Sequence, residues 1–203
     1  CIELLRVFYR LGVRLMTLTW SRRNELGDGA YEEGTRGGLT RFGVDVVREM
    51  DRLGMVVDVS HLSEATFWHV MEVSTKPLIA SHSNARALCG HSRNLSDEQA
   101  KALADRGGLV GVTFVGPFLG DGRQSVQGVV DHIDHFAGVI GTDHIAIGSD
   151  FDGVPDGSLP EGLPDVSRMP AIIDELARRG YSDAAVRGIM GENLLRTVEG
   201  VIG

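Results

Sequence analysis

The stretch MVVDVSHLSEATFWHVMEVSTKPLIASHS, residues 55–83, decides the fold. It begins with an apolar run that ends at Ser60-His61. It then passes through a segment of helical spacing, 63–74, and closes on a second apolar run that ends at Ser81-His82. Two continuous apolar strands around a helix read as a strand–helix–strand unit whose strands lie parallel and are buried on both faces. Ser63 stands where the intervening helix needs an N-cap.

The same unit repeats outward in both directions. Strands are expected at 14–19, 55–60, 77–83, 109–115 and 144–150. Helices are expected at 1–12, 39–54, 63–74, 96–108 and 126–141, and two more at 169–180 and 182–201 close the chain. A loop rich in Gly and charge, containing GDGAYEEGTRGG (27–38), separates the first strand from the second helix. Alternating strands and helices give an α/β fold with a parallel sheet covered by helices. Two architectures fit: a (β/α)8 TIM-like barrel and an open doubly wound sheet. No GxGxxG or GxxxxGK[ST] run opens a helix, which counts against the nucleotide-binding open sheet. A complete barrel needs eight strands in about 250 residues. The expectation is therefore a single domain over 1–203 holding about five C-terminal strand–helix units of a barrel, without its N-terminal strands.

Composition narrows the function. The chain has 203 residues, 42% of them hydrophobic and 24% charged, with a formal net charge of −8. An acidic chain lacks the basic face that nucleic acid requires. No apolar run is long enough to cross a membrane as a helix. The two cysteines, Cys1 and Cys89, have no CxxC spacing and make no disulfide framework. They are compatible with a reducing, cytoplasmic setting, although targeting signals upstream of Cys1 are not represented.

In a parallel α/β fold the carboxyl ends of the strands converge on one rim, where ligands bind. The polar residues at those ends are Thr19 and Trp20; Asp58, Ser60 and His61; Ser81, His82, Ser83 and Asn84; Thr113; and Ser149, Asp150 and Asp152. His61 and His82 occupy matched positions on neighbouring strands, which suits a shared metal ion, zinc above all. The plainer reading is two rim histidines satisfied by hydrogen bonds. Asp150 ends the fifth strand, where a carboxylate beside a cation is ionised and able to handle protons. Asp152, before Gly153, fits a turn-closing role better. Arg93, in the long loop after the third strand, has the planar fork that clamps a carboxylate. An ion pair with the acidic helix start nearby is the competing role. His132 and His135 lie within a helix and read as a solvated or core-edge face, His69 as packing or surface. His144 begins a strand, at the end away from the rim.

Five blocks, DVSHLS (58–63), ASHSNARALCGHSRN (80–94), GSDFDGVP (148–155), EGLPDVS (161–167) and ENLLRTVEGV (192–201), resemble in order and spacing the membrane (renal-type) dipeptidase family. This is a group of zinc peptidases among the amidohydrolase-like barrels. The resemblance covers essentially the whole chain. It implies a (β/α)8 barrel holding two zinc ions bridged by a carboxylate and a hydroxide, and hydrolysis of dipeptides by metal-activated hydroxide. It implies His61 and His82 as ligands of one zinc, Arg93 as the clamp on the substrate carboxylate, and Asp150 as the acid that meets the substrate amine and transfers protons.

The chain also departs from the family pattern. The other zinc of the family is held by a His-x-Asp pair on the first barrel strand, and both ions share a Glu; neither is expected here, the chain being read as without any His-x-Asp run. Only the two-histidine half of the site is expected here. Trp20 stands where the family often has a histidine that contacts the substrate carbonyl. The expected function is thus a zinc dipeptidase impaired as an isolated chain. The alternatives are a non-catalytic binding protein built on a barrel remnant, or another metal-dependent hydrolase such as a phosphoesterase or deaminase. Open edges at the first and fifth strands lead to the expectation of a homodimer.

Overall fold

The computed structural model describes every residue except Glu33, Arg123 and Asp156; the first of these lies in the expected loop that contains 27–38. Five strands form one sheet, all parallel and in sequence order: β1 (Leu15–Thr17), β2 (Val56–Asp58), β3 (Ile79–Ala80), β4 (Leu109–Val112) and β5 (Ile145–Ile147). The helices are α1 (Ile2–Arg10), α2 (Arg41–Leu53), α3 (Glu64–Val73), α4 (Asp97–Asp105), a short α5 (Gly116–Leu119), α6 (Val126–Ile140), α7 (Pro170–Arg178), α8 (Asp183–Arg187) and α9 (Asn193–Ile202). This is the arrangement of a partial (β/α) barrel.

Local sequence sets the helix ends. Thr40, Ser63 and Ser96 each accept a backbone N–H of the first helical turn, and Ser96 forms a reciprocal capping box with Gln99. Gly54 ends α2 in the left-handed conformation, at φ 72°.

Strand alternation then sorts the side chains. On the outer face, Val57, Ala80, Val110, Val112 and Ile145 pack with Val47 and Met50 of α2, Phe67 and Val70 of α3, Leu103 of α4, and Ile133 and Phe136 of α6. On the inner face the lower residues are apolar. Val56, Ile79, Leu109 and Ala146 form a separate cluster with Leu194, Val198 and Val201 of α9. The last helix therefore closes the inner face at the amino ends of the strands. One step higher on the same face come Asp58, Ser81, Gly111 and Gly148. Polar character on the inner face is thus confined to the carboxyl ends.

Two expectations need correction. The strands are shorter than their apolar runs, β3 most of all. Beyond Ala80 the N–H groups of Ser81 and His82 donate to the Asp58 carboxylate and the Ser60 hydroxyl, at 2.9 and 3.0 Å, so side chains replace the ladder. The single helix expected over 182–201 is two, α8 and α9, joined by a π-helical turn at Gly188–Glu192. The cause is Asn193, which is buried. Its amide donates to the carbonyls of Thr142 and Ile145, both at 2.8 Å, and the joint bends to reach them.

Candidate functional site

The rim is organised around Asp58. This carboxylate is 1% exposed. It accepts the Thr17 hydroxyl (2.6 Å), the Ser81 hydroxyl (2.5 Å), and the N–H groups of Ser60 and Ser81 (both 2.9 Å). These donors compensate the burial of the charge, which would otherwise be costly. They also bind the ends of β1, β2 and β3 into one unit.

His61 and His82 rise from that unit. Their Nε2 atoms lie 2.7 Å apart, with ring centroids at 4.8 Å. Each Nδ1 meets a hydroxyl: His82 that of Ser81 at 2.7 Å, His61 that of Ser21 at 3.1 Å. The Ser81 hydroxyl gives its proton to Asp58, so the hydrogen-bond network assigns the His82 proton to Nδ1 and leaves Nε2 as a lone pair. Both rings are held neutral. Burial, then the nearby Arg93 charge, lowers the pKa of His61 to about 3 and moves His82 in the same direction.

Two backbone features aim these groups. His61 has φ 70° and Asp150 has φ 60°, a left-handed conformation uncommon for residues other than glycine. Each sits where a strand end turns sharply, and such strain concentrates at functional sites. Close backbone approach does the rest. A Cβ on Gly148 would lie 1.9 Å from the Ser81 carbonyl oxygen, one on Gly111 2.1 Å from it, and one on Gly153 2.3 Å from Asp150 Oδ1. Only glycine lets β4, β5 and the following turn close around Ser81 and Asp150.

Arg93 is 3% exposed and, among the described residues, makes no ion pair with the acidic start of α4. Its Nη2 donates to the His82 carbonyl at 3.2 Å, its guanidinium lies 5.6 Å from the centre of the Phe118 ring, and its buried Nε has no hydrogen-bond partner among the described residues. Burial lowers its pKa to about 10, so it remains a cation at neutral pH. The Asp150 charge acts on both Arg93 and His82. The structure thus brings His61, His82, Arg93 and Asp150 to one rim. A cavity of about 370 Å³ opens there, lined by Thr17, Leu18, Thr19, Trp20, Asn24, His61 and His82. A larger groove, about 930 Å³, is lined by residues that include Gly116, Gly120, Gln124, Phe151, Leu159 and Pro160, and by neither histidine.

The donor set suits a metal ion in part. Two neutral imidazoles, each held by a hydroxyl at Nδ1, fit one once the His61 proton that lies between the two Nε2 atoms moves to Nδ1, facing Ser21, and the rings part by about 0.5 Å to the spacing of tetrahedral ligands. Among the described residues no group of three or more His, Cys, Asp or Glu side chains can hold an ion, so the fit is to half a site. The chain does contain one His-x-Asp run, His132 to Asp134, but it lies in α6. There Asp134 binds Arg179 and Tyr181, both at 2.6 Å, and His132 is buried rather than solvated or at the core edge. His135 pairs with Asp97 at 2.7 Å. His69 accepts the Leu39 N–H, and His144 meets the Gly108 carbonyl below the sheet. Trp20 is 75% exposed, its ring 6.3 Å from that of His61. Asp152 is exposed.

Sequence reasoning singled out the two histidines but missed the roles of Asp58, Ser81 and Ser21. An Asp two residues before a strand-end Ser was the available signal.

Comparison with known proteins places these features in context. Residues 1–202 match the family model of membrane dipeptidases, peptidase family M19. The chain is 40% identical to an uncharacterized protein in the pqqA 5′ region of Klebsiella pneumoniae, over 97% of this chain and 75% of that one. It is 41% identical to Dipeptidase verJ of Clonostachys rogersoniana, over 97% of this chain and 50% of the relative. Among solved structures it superimposes with a TM-score of 0.91, at 34% identity, on a metallo peptidase from Rhodobacter sphaeroides liganded with a phosphinate mimic of the dipeptide L-Ala-D-Ala. That match covers 98% of this chain and 59% of the other. The chain thus spans about half the length of Dipeptidase verJ.

Proposed function

This chain belongs to the membrane dipeptidase family, and on that premise we propose that it supplies the substrate-clamping half of a zinc-dependent dipeptidase. The observation that carries the reading is the convergence of His61 and His82 Nε2, 2.7 Å apart, beside a buried arginine whose Nε lacks a hydrogen-bond partner among the described residues. Family relatives extend well beyond the matched length, and the remaining metal donors are assigned to that additional chain.

A dipeptide carries a carboxylate at one end and an ammonium at the other, close together. Arg93 receives the carboxylate, which completes the hydrogen bonding of its buried guanidinium. Asp150 receives the ammonium, takes a proton from the attacking water, and passes that proton to the leaving nitrogen as the peptide bond breaks. The fixed separation of these two groups selects dipeptides over longer peptides. His61 and His82 would hold the ion through Nε2, with Ser21 and the Asp58–Ser81 pair fixing the rings. Zinc, when bound, polarises the scissile carbonyl and lowers the pKa of water. Trp20, exposed beside His61, forms an apolar wall where a proton donor is absent.

The test is Arg93→Met in the full-length, zinc-loaded protein. The substitution is expected to lower kcat/KM for a dipeptide by about 100-fold or more. It is expected to leave the slow hydrolysis of the same dipeptide with an amidated C-terminus nearly unchanged. An equal loss on both substrates would refute the clamp.

A further inference from the structure

His132 has no place in the chemistry above, yet it stands behind both walls that hold Arg93. We propose that His132 is a positioning residue for Arg93: from α6 it ties the loop after β3 to α5, and so fixes where the guanidinium presents itself to the substrate carboxylate. The inference rests on the reading of Arg93 as the carboxylate clamp.

The geometry is a bridge. The imidazole is 1% exposed. Its Nδ1 accepts the Ala85 N–H at 3.0 Å, so its proton is on Nε2, which donates to the Leu119 carbonyl at 3.0 Å. One neutral ring thus offers an acceptor and a donor in opposite directions. Burial lowers the His132 pKa and keeps the ring in that neutral form.

Each end of the bridge leads to Arg93. Ala85 lies at the root of the loop, where Leu95 N–H donates to the Asn84 carbonyl (2.9 Å) and Arg86 N–H to the Leu95 carbonyl (2.8 Å). That pairing fixes the chain two residues after Arg93. At the other end, Leu119 follows Phe118, whose ring faces the Arg93 guanidinium and lies 4.4 Å from the His91 ring. Asn94 links the two walls again, donating to the carbonyls of Cys89 (2.9 Å) and Phe118 (2.8 Å). Without the ring, the Ala85 N–H and the Leu119 carbonyl lose their partners in the interior and must turn to find others. The walls around Arg93 then move relative to each other.

The experiment uses the full-length, zinc-loaded protein and two substrates, a dipeptide and the same dipeptide amidated at its C-terminus. His132→Leu is expected to reduce kcat/KM for the dipeptide at least about tenfold, chiefly through KM, because a small misplacement of a positioning group is costly. The amide is expected to change by less than about twofold, so the preference for a free carboxylate collapses. His132→Gln, which offers both a donor and an acceptor, should restore part of that preference. If His132→Leu does not fold, His132→Asn carries the test, being polar but too short to reach both partners, and the same selective loss is expected. An equal loss on both substrates overturns the proposal and leaves His132 as a packing residue. A wild-type enzyme that shows no preference for the free carboxylate fails earlier, before any substitution. That result would remove the Arg93 reading and this proposal with it.

Discussion

The Ser81 hydroxyl lies 2.5 Å from Asp58 Oδ2 and 2.7 Å from His82 Nδ1, so one serine connects a buried carboxylate to a candidate metal ligand. The carboxylate takes the hydroxyl proton, and the hydroxyl oxygen must then accept the imidazole proton. His82 is fixed in the tautomer whose Nε2 is free for an ion.

Ser81→Ala in the full-length protein should therefore weaken zinc binding by about 10- to 100-fold, the usual cost of losing a partner behind a metal-bound histidine. Competition with a chromogenic chelator measures it directly. Circular dichroism should stay unchanged, since the Ser81 N–H still reaches Asp58 Oδ1. Unaltered zinc affinity would remove the relay from the account.

The buried histidine of α6 makes stability depend on pH. The His132 pKa is lowered from 6.5 in the folded chain by burial, so the folded state refuses a proton that the unfolded chain accepts. Its contribution is complete above the unfolded value and declines as pH falls below it. His61, lowered to about 3, acts in the same sense. Thermal melts of metal-free protein between about pH 7 and pH 5 should fall less steeply for His132→Gln than for wild type. Equal slopes would contradict a neutral His132.

Residues 1–203, expressed by themselves, present β1 and β5 as open sheet edges, since the sheet order places each at a flank. Leu4, Val7, Phe8 and Leu11 of α1 and its end are also exposed, at 51%, 45%, 43% and 75%. Open edges and apolar surface favour association. We expect this chain alone to self-associate, and to hydrolyse dipeptides far more slowly than the full-length protein because only two metal donors converge among its described residues. A monomeric elution profile together with full turnover would contradict both statements.

Much of this was legible in the sequence, for physical reasons that can be named. Apolar runs ending at Ser60-His61 and Ser81-His82 mark strands whose polar ends meet at one rim, and Ser63 and Ser96 mark helix starts through their side-chain acceptors. The strand lengths were not legible. Ser81 and His82 leave the ladder because Asp58 and Ser60, more than twenty positions earlier, supply their acceptors, and only the folded sheet brings these together. His132 was misread for the same reason. Flanked by Asp131 and Asp134, it looks solvated, and the groups that bury it, Ala85 and Leu119, are distant in sequence. The split between α8 and α9 depends on Asn193 reaching Thr142 and Ile145, again a contact that no local pattern announces.

The most direct test is anomalous diffraction at the zinc edge from crystals of the full-length protein. The account predicts a zinc peak within bonding distance, about 2.0–2.1 Å, of both His61 Nε2 and His82 Nε2, with Ser81 still against His82 Nδ1. Zinc bound elsewhere, with the Nε2 atoms of these two rings still hydrogen-bonded to each other, would contradict it.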